Sequence, residues 1–415
     1  MTTQPSHNFQ DIDPRHCTFC GTCIGICPQD TLVVDNERVS QISDCKNCGL
    51  CFNLCPGRSF DFNQFNKQLF DTNECDCSIG FYRMIVRGYS SDERIRSNAS
   101  SGGAVTALLL YLMEKGLIDG AIIVGMSSTE PFKPEVKIAR NREEIIQGSQ
   151  SKYCLVPVNA IIRKLRDEKG KFAFVGLPCH IHGLRKLQQF KRPESEKIFI
   201  TIGLFCGFNM SFGGTEFILK KLGIEKNDIV DLKYRGKGYP GGFFVKTEEK
   251  EYFLAKHIYN LINPVFIPKR CLVCNDLTNE FADISVGDIW KKSDGKGWSS
   301  IIIRTSLGQK VFTGATQHRY LIHEELEYND LISSHHHLIQ YKKMHIHTRS
   351  NILGLNLTLS PSNENLKYST RIAGYFYGCL FLVLTSSLFR ALFSFVPLWF
   401  IDRSARFVNN RIRRV

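Results

Sequence analysis

The pattern Cys-x2-Cys-x2-Cys-x3-Cys-Pro occurs twice within the first sixty residues. Cys17, Cys20, Cys23 and Cys27-Pro28 recur 28 positions later as Cys45, Cys48, Cys51 and Cys55-Pro56. Thiols crowded into two tight turns need a partner that takes several thiolates at once. Iron in a 4Fe–4S cube is such a partner, because it wants soft deprotonated sulfur and four thiolates complete it. Three thiolates come from one turn, while the cysteine before proline is carried across to the other cube. The expected sets are Cys17, Cys20, Cys23 and Cys55 for one cluster, and Cys45, Cys48, Cys51 and Cys27 for the second. Gly21, Gly25 and Gly49 are expected to let the backbone close over the cubes. Paired zinc sites compete with this reading, but they favour two Cys-x2-Cys pairs around one ion.

A chain of 415 residues has room for two or three domains. Its 16 cysteines fall in metal-ligand spacings, and the opening MTTQPSHNFQ has no apolar leader core. Reduced thiolates in the cytoplasm follow as the expectation. The net charge of +13 is partly local, since Arg403, Arg406, Arg411, Arg413 and Arg414 meet no acid after Asp402. The chain has no zinc-finger, RNA-recognition or helix-turn-helix signature, so nucleic acid is not an expected partner.

After the cysteine module, residues 1–62, a polar linker is expected over 63–80. The texture then alternates. Helices are predicted over Ala104–Lys115, Val158–Arg166 and Ile181–Phe190, with strands over Ala121–Met126, Phe172–Gly176, Lys197–Phe205 and Ser300–Thr305. The expected fold is an α+β ferredoxin-like N-terminal module followed by an α/β domain, 81–345, with a mixed, largely parallel sheet. A second linker, 346–371, leads to an apolar helical extension, 372–415. There Ile372–Phe389 is free of charge, Arg390 interrupts, and Ala391–Ile401 is apolar with Pro397 inside. A single span would put the arginine tail outside, against the positive-inside bias. A re-entrant or interfacial helix pair on the cytoplasmic face of the membrane is expected instead.

Four later cysteines stand at suggestive places: Cys179 and Cys206 at strand ends, and Cys271 with Cys274. In open α/β sheets, ligands gather at strand ends. On spacing alone, a third 4Fe–4S cluster and a bland alternative stand level. In the alternative, Cys179 and Cys206 are small buried hydrophobes and Cys271/Cys274 half a zinc site. Cys75, Cys77, Cys154 and Cys379 acquire no role. His335, His336 and His337, with His345 and His347, read as a solvated basic loop rather than a metal site.

Several ordered motifs carry a family resemblance. They are Arg96 to Gly103 (RSNASSGG), Gly148 to Tyr153 (GSQSKY), Phe174 to Cys179 (FVGLPC), Leu204 to Gly207 (LFCG), Tyr234 to Gly242 (YRGKGYPGG) and Arg270 to Cys274 (RCLVC). With them the chain resembles the beta subunits of coenzyme F420 hydrogenases and dehydrogenases. That family includes the reduced-coenzyme F420 dehydrogenase subunit and 7-hydroxymethyl chlorophyll a reductase.

The resemblance implies FAD and favours the third cluster on Cys179, Cys206, Cys271 and Cys274. It assigns Ser100, Ser101, Gly102 and Gly103, at a helix start, to the flavin pyrophosphate. Ser151, Lys152 and Tyr153 would supply donors to the flavin, and Asp288 would orient it. Arg235 and Lys237 would sit on a mobile basic loop for an anionic substrate tail. The implied activity is hydride exchange between reduced coenzyme F420, or another two-electron substrate, and FAD. Electrons then pass through the clusters to or from a ferredoxin or a respiratory or membrane acceptor. A ferredoxin-dependent reductase of a hydrophobic organic substrate and a non-catalytic electron-transfer subunit are the alternatives. No catalytic residue is singled out.

Overall fold

The computed structural model describes residues 7–72, 74–289, 295–344, 346–355 and 368–412. Trp290, His345, Arg413 and Arg414 lie outside the described residues.

The two halves of the cysteine repeat fold alike. Each opens a short helix, Thr22–Ile26 or Leu50–Asn53, from a left-handed glycine, Gly21 (φ 82) or Gly49 (φ 73). In each, the residue two past the first cysteine donates its N–H to that sulfur: Phe19 to Cys17 at 3.4 Å and Asn47 to Cys45 at 3.3 Å. The hairpin of β1 (Leu32–Asp35) and β2 (Arg38–Gln41) separates them. It turns over Asn36 and Glu37, both at positive φ, as the tightest hairpins require.

The segment expected as a polar linker is in fact helical over Phe62–Phe70, and the side chain of Asp61 caps it. Phe62 and Phe65 recur at helical spacing and are buried, which ties this helix to the body of the protein.

Eight strands build the main sheet. Before an inserted subdomain come β3 (Met84–Ser90), β4 (Gly120–Met126), β5 (Pro134–Ala139), β6 (Phe172–Gly176) and β7 (Ile198–Leu204). The insertion holds its own antiparallel sheet of β8 (Ile229–Gly236), β9 (Gly242–Thr247) and β10 (Glu251–Ala255). After it come β11 (Ile284–Asp288), β12 (Ser299–Ile303) and β13 (Leu321–Glu325). The order is β13-β3-β12-β11-β7-β6-β4-β5. The central block β11-β7-β6-β4 is parallel, and the flanks are antiparallel. Every residue of β6 and β12 is buried, as strands covered on both faces must be. Helices Ala104–Glu114 and Ser306–Gln317 cover one face. The 3-10 segment Val158–Arg166, helix Pro178–Gln189 and the Phe60–Phe65 cluster cover the other.

The cysteine module is seated directly on that second face. A Cβ on Gly21 would come within 2.6 Å of the Pro157 carbonyl oxygen. One on Gly25 would run into the Asn159 carbonyl, and one on Gly183 would lie 2.6 Å from Asn159 Nδ2. Gly21 and Gly25 are therefore small because the α/β body presses against them. Gly49, expected to share their role, has no such neighbour. Hydrogen bonds cross the seam from Asn159 N to Cys20 O (2.9 Å), Arg166 to Cys27 O (3.0 Å) and Arg270 to Gly57 O (3.0 Å).

The histidine run lies on helix Tyr328–Lys343 rather than on a loop, with His335 buried and His336 and His337 exposed. At the C-terminus, helices cover Tyr368–Leu384, Ser387–Phe393 and Leu398–Ile412. Pro397 stands at the last break, where its missing N–H costs nothing. No single described helix is long and apolar enough to cross a membrane. The pair Gly374–Leu384 and Ser387–Phe393 is bent by 65°.

Candidate functional site

The repeat's eight cysteines differ in burial and in the sulfurs that surround them. Burial lifts the Cys23 thiol well above its ordinary value, and the sulfurs of Cys20, Cys55, Cys17 and then Cys51 add to the effect. Cys17 is pushed up to about 12 by burial, with Cys20 and Cys55 again among its neighbours. The other set gathers around Cys51, lifted to about 11 by burial and then by the nearby sulfurs of Cys48, Cys45 and Cys27. Cys27 goes the other way. Burial opposes its ionisation, but the Thr31 hydroxyl and three backbone N–H groups outweigh burial and lower its value. Each crossed cysteine, Cys55 or Cys27, thus keeps company with the opposite half of the repeat.

Cys179, Cys206, Cys271 and Cys274 come together at the carboxyl edge of the parallel block. Cys179 lies in the first turn of the helix after β6, and Cys206 lies two residues past β7. Cys271 and Cys274 come from the 3-10 turn Lys269–Val273 and its end. All four line a cavity that holds about 870 Å³ of space, its open mouth included. The wall opposite is the cysteine module, through Thr18, Phe19, Pro56 and Phe60. Burial raises Cys179 far above its ordinary value, and Cys20, Cys206, Cys271 and Cys274 contribute in that order. Cys206 is pushed up to about 12, chiefly by burial. Thiols such as Cys179, Cys206 and Cys271, raised by burial, ionise more readily with positive charge beside them.

Residues that sequence reasoning missed complete this wall. Lys342 is buried, and its Nζ donates to the Asp276 carbonyl at 2.9 Å. Burial opposes its charge, but Cys274, Cys206 and Cys271 overcome that and raise its value. His182 pairs with Asp276 at 2.9 Å and stacks on Phe60 at 4.0 Å. His182 stands three residues after Cys179 on one helix face, which was the available clue; Lys342 and Asp276 offered none.

A polar constellation lies at the neighbouring strand ends. The Ser151 N–H donates to Ser100 Oγ at 2.8 Å. Arg235, at the end of β8, donates to Tyr153 Oη (2.9 Å), Asp288 Oδ2 (3.1 Å), Pro240 O (2.6 Å) and the Ser100 carbonyl. It is fully buried, so the expected mobile basic loop is fixed at this residue. Only Lys237 faces solvent, paired with Glu251. Ser101 Oγ donates to the Trp298 carbonyl, and Gly102 N to Ser299 Oγ at 3.0 Å. Gly103, in left-handed backbone, starts helix Ala104–Glu114. Lys152 is turned into its own loop, donating to Gly148 O (2.6 Å) and Gln150 O (3.0 Å). Burial, then Lys137, lowers it to about 7. Lys256, absent from the sequence expectations, reaches Asp288 at 3.8 Å. Burial and then Arg235 bring it down to about 7. Phe205, the chain neighbour of Cys206, lies against Gly287 and meets the His335 ring at 5.4 Å, and His335 Nε2 contacts the Asp288 carbonyl at 2.9 Å.

Among the described residues, no group of three or more His, Cys, Asp or Glu is arranged to hold a single metal ion. The backbone N–H bonds to Cys17 and Cys45 and the uniformly sulfur donor sets match iron–sulfur binding.

Fold and site together define an iron–sulfur redox protein, a cysteine module seated on a mixed α/β sheet. A 4Fe-4S dicluster domain model matches residues 10–58. The coenzyme F420 hydrogenase/dehydrogenase beta subunit models match residues 85–163 with their N-terminal part and 169–328 with their C-terminal part. The chain is 31% identical to the beta subunit of the coenzyme F420 hydrogenase of Methanothermobacter thermautotrophicus, over 58% of this chain and 83% of that one. It is 28% identical to one subunit of the F420H2 dehydrogenase of Methanosarcina mazei, over 71% and 81%. It is 33% identical to a coenzyme F420-dependent sulfite reductase of Methanocaldococcus jannaschii, but there the match takes in 72% of this chain and only 46% of the relative. A solved chain of the F420-reducing [NiFe] hydrogenase complex from Methanosarcina barkeri shares the fold. It gives a TM-score of 0.56 at 24% identity, covering 68% of this chain and 98% of that one. The protein belongs to the family of coenzyme F420 hydrogenase/dehydrogenase beta subunits.

Proposed function

We propose that this protein is an iron–sulfur flavoprotein oxidoreductase. It exchanges a hydride between reduced coenzyme F420, or a similar two-electron substrate, and FAD. Single electrons are relayed through 4Fe–4S clusters to or from a ferredoxin or a membrane acceptor on the cytoplasmic face. Residues 1–62 are the electron module and 81–345 the flavin-binding unit.

Three thiolate sets would hold the clusters: Cys45, Cys48, Cys51 and Cys27 outermost, Cys17, Cys20, Cys23 and Cys55 in the middle, and Cys179, Cys206, Cys271 and Cys274 innermost. Ser100 to Gly103, Ser151 to Tyr153 and Arg235 would hold the flavin, with Lys237 outside them for an anionic tail. When bound, FAD supplies two-electron chemistry and the clusters one-electron chemistry. Arg235 keeps Tyr153 and Asp288 fixed and stays charged at any working pH. Lys256, brought down to about 7, is able to hold or release a proton at Nζ near neutral pH.

The observation that carries this reading is the cavity at the seam. Its lining holds the four thiols together with Thr18, Phe19 and Pro56 of the cysteine module, and Phe205, beside Cys206 in the chain, meets His335, which contacts the Asp288 carbonyl. The test is anaerobic mixing of purified protein with reduced coenzyme F420 and an artificial one-electron acceptor. Turnover with bleaching of bound flavin is expected. Protein purified without flavin, or flavin that ferredoxin reduces but the deazaflavin does not, would reject it.

A further inference from the structure

Among the described residues nineteen large apolar side chains are exposed, and eleven of them fall between Tyr375 and Phe407. Phe395 is 82% exposed and Trp399 66%, while folded chains rarely leave an apolar surface of this extent bare.

The helices that carry these side chains are held in place from within. Phe393 stacks on Phe217 at 5.3 Å, and Ile401 and Ala405 are buried on the side facing helix Lys256–Ile262. Lys221 Nζ donates to the carbonyls of Ser394 and Val396, both at 2.7 Å, and Arg390 donates to Val265 O at 2.9 Å. The apolar outer face is therefore a fixed surface with a packed back.

Charge says what covers it. From residue 368 to the end the chain carries seven arginines against one acid, Asp402. Arg403, exposed, stands three residues after Phe400 and four before Phe407, so it shares their stripe of the helix. An arginine there lays its stem across apolar ground and carries its guanidinium up to a phosphate. A two-fold pair of these faces would instead bring the same arginines together. Aromatics and arginines on a bent, short-helix surface fit the boundary between headgroups and acyl chains.

We propose that the three C-terminal helices form a docking face for an anionic lipid bilayer, with Phe395, Trp399 and Phe400 at the acyl boundary and Arg403 on lipid phosphate. This deepens the membrane-face part of the reading above and does not depend on which cofactors are bound.

The test is flotation of the purified full chain with vesicles of phosphatidylcholine alone or mixed with phosphatidylglycerol. Co-flotation with the anionic vesicles is expected, at least about ten-fold weaker without the anionic lipid. The double variant Phe395→Asp/Trp399→Asp should lose at least about ten-fold in partition, and Arg403→Gln about five-fold, with iron content unchanged. Wild-type protein that stays off both vesicles, or a double variant that floats as well as wild type, would overturn the proposal. So would a lipid-free dimer that the double variant abolishes, since it would assign the face to a second copy. Lost iron with intact flotation would strike the electron-transfer reading alone.

Discussion

Gly21 and Gly49 occupy equivalent positions in the cysteine repeat and share left-handed backbone, yet their surroundings differ. A Cβ on Gly21 would meet backbone of the α/β body at 2.6 and 2.8 Å; on Gly49 it would meet a side-chain amide at 3.3 Å. One cysteine pair differs in the same way, with Cys20 buried and its counterpart Cys48 exposed. A repeated motif thus repeats the ligand geometry but not the environment, which comes from the domain it leans on. The inner half lines the cavity that also holds Cys179, Cys206, Cys271 and Cys274, and Cys48 of the outer half faces solvent.

The largest expected effect that tests this contrast is loss of a whole cluster. A chelator under mild oxidation should strip iron from the Cys45, Cys48, Cys51 and Cys27 set first, leaving the buried sets loaded. Iron and visible absorbance followed together should fall in two phases, and a single phase would break the contrast. Next comes Gly21→Ala, expected to cost about 3 kcal/mol through overpacking added to left-handed strain. Denaturant unfolding should show it, with the cysteine module made protease-sensitive. Asn159→Ala removes Nδ2 donors to Thr22 Oγ1 and the His180 carbonyl, both at 2.9 Å and buried, and should cost about 2 kcal/mol by the same measurement. Gly49→Ala should cost only about 1 kcal/mol, the left-handed term alone. Equal losses for Gly21→Ala and Gly49→Ala would remove the docking account of the difference.

Features written in local spacing were legible in the sequence; those made by tertiary contact were not. The eight-cysteine repeat and the core strands β6 and β7 could be read because neighbouring residues encode them. The four later cysteines could be named, but only the fold brings their loops to one cavity. The helix Phe62–Phe70 was hidden by the Asn, Gln and Lys residues between its phenylalanines. Arg235 was read as loop because glycines follow it at once. Its burial depends on Ser100, Tyr153 and Asp288, far away in sequence. Lys256, Lys342 and Asp276 have no motif and become visible only through packing, while His182 offered only its spacing from Cys179. The histidine run misled because its polarity masked a helix with one buried face.

Cys179, Cys206, Cys271 and Cys274 are proposed to hold a third cluster between the dicluster module and the proposed flavin site. Iron and acid-labile sulfide should be counted in anaerobically purified wild type and in Cys179→Ala/Cys271→Ala. The account predicts about twelve irons per chain in wild type and about eight in the variant, with flavin retained. About eight irons in wild type, or a variant that keeps all of its iron, would contradict it.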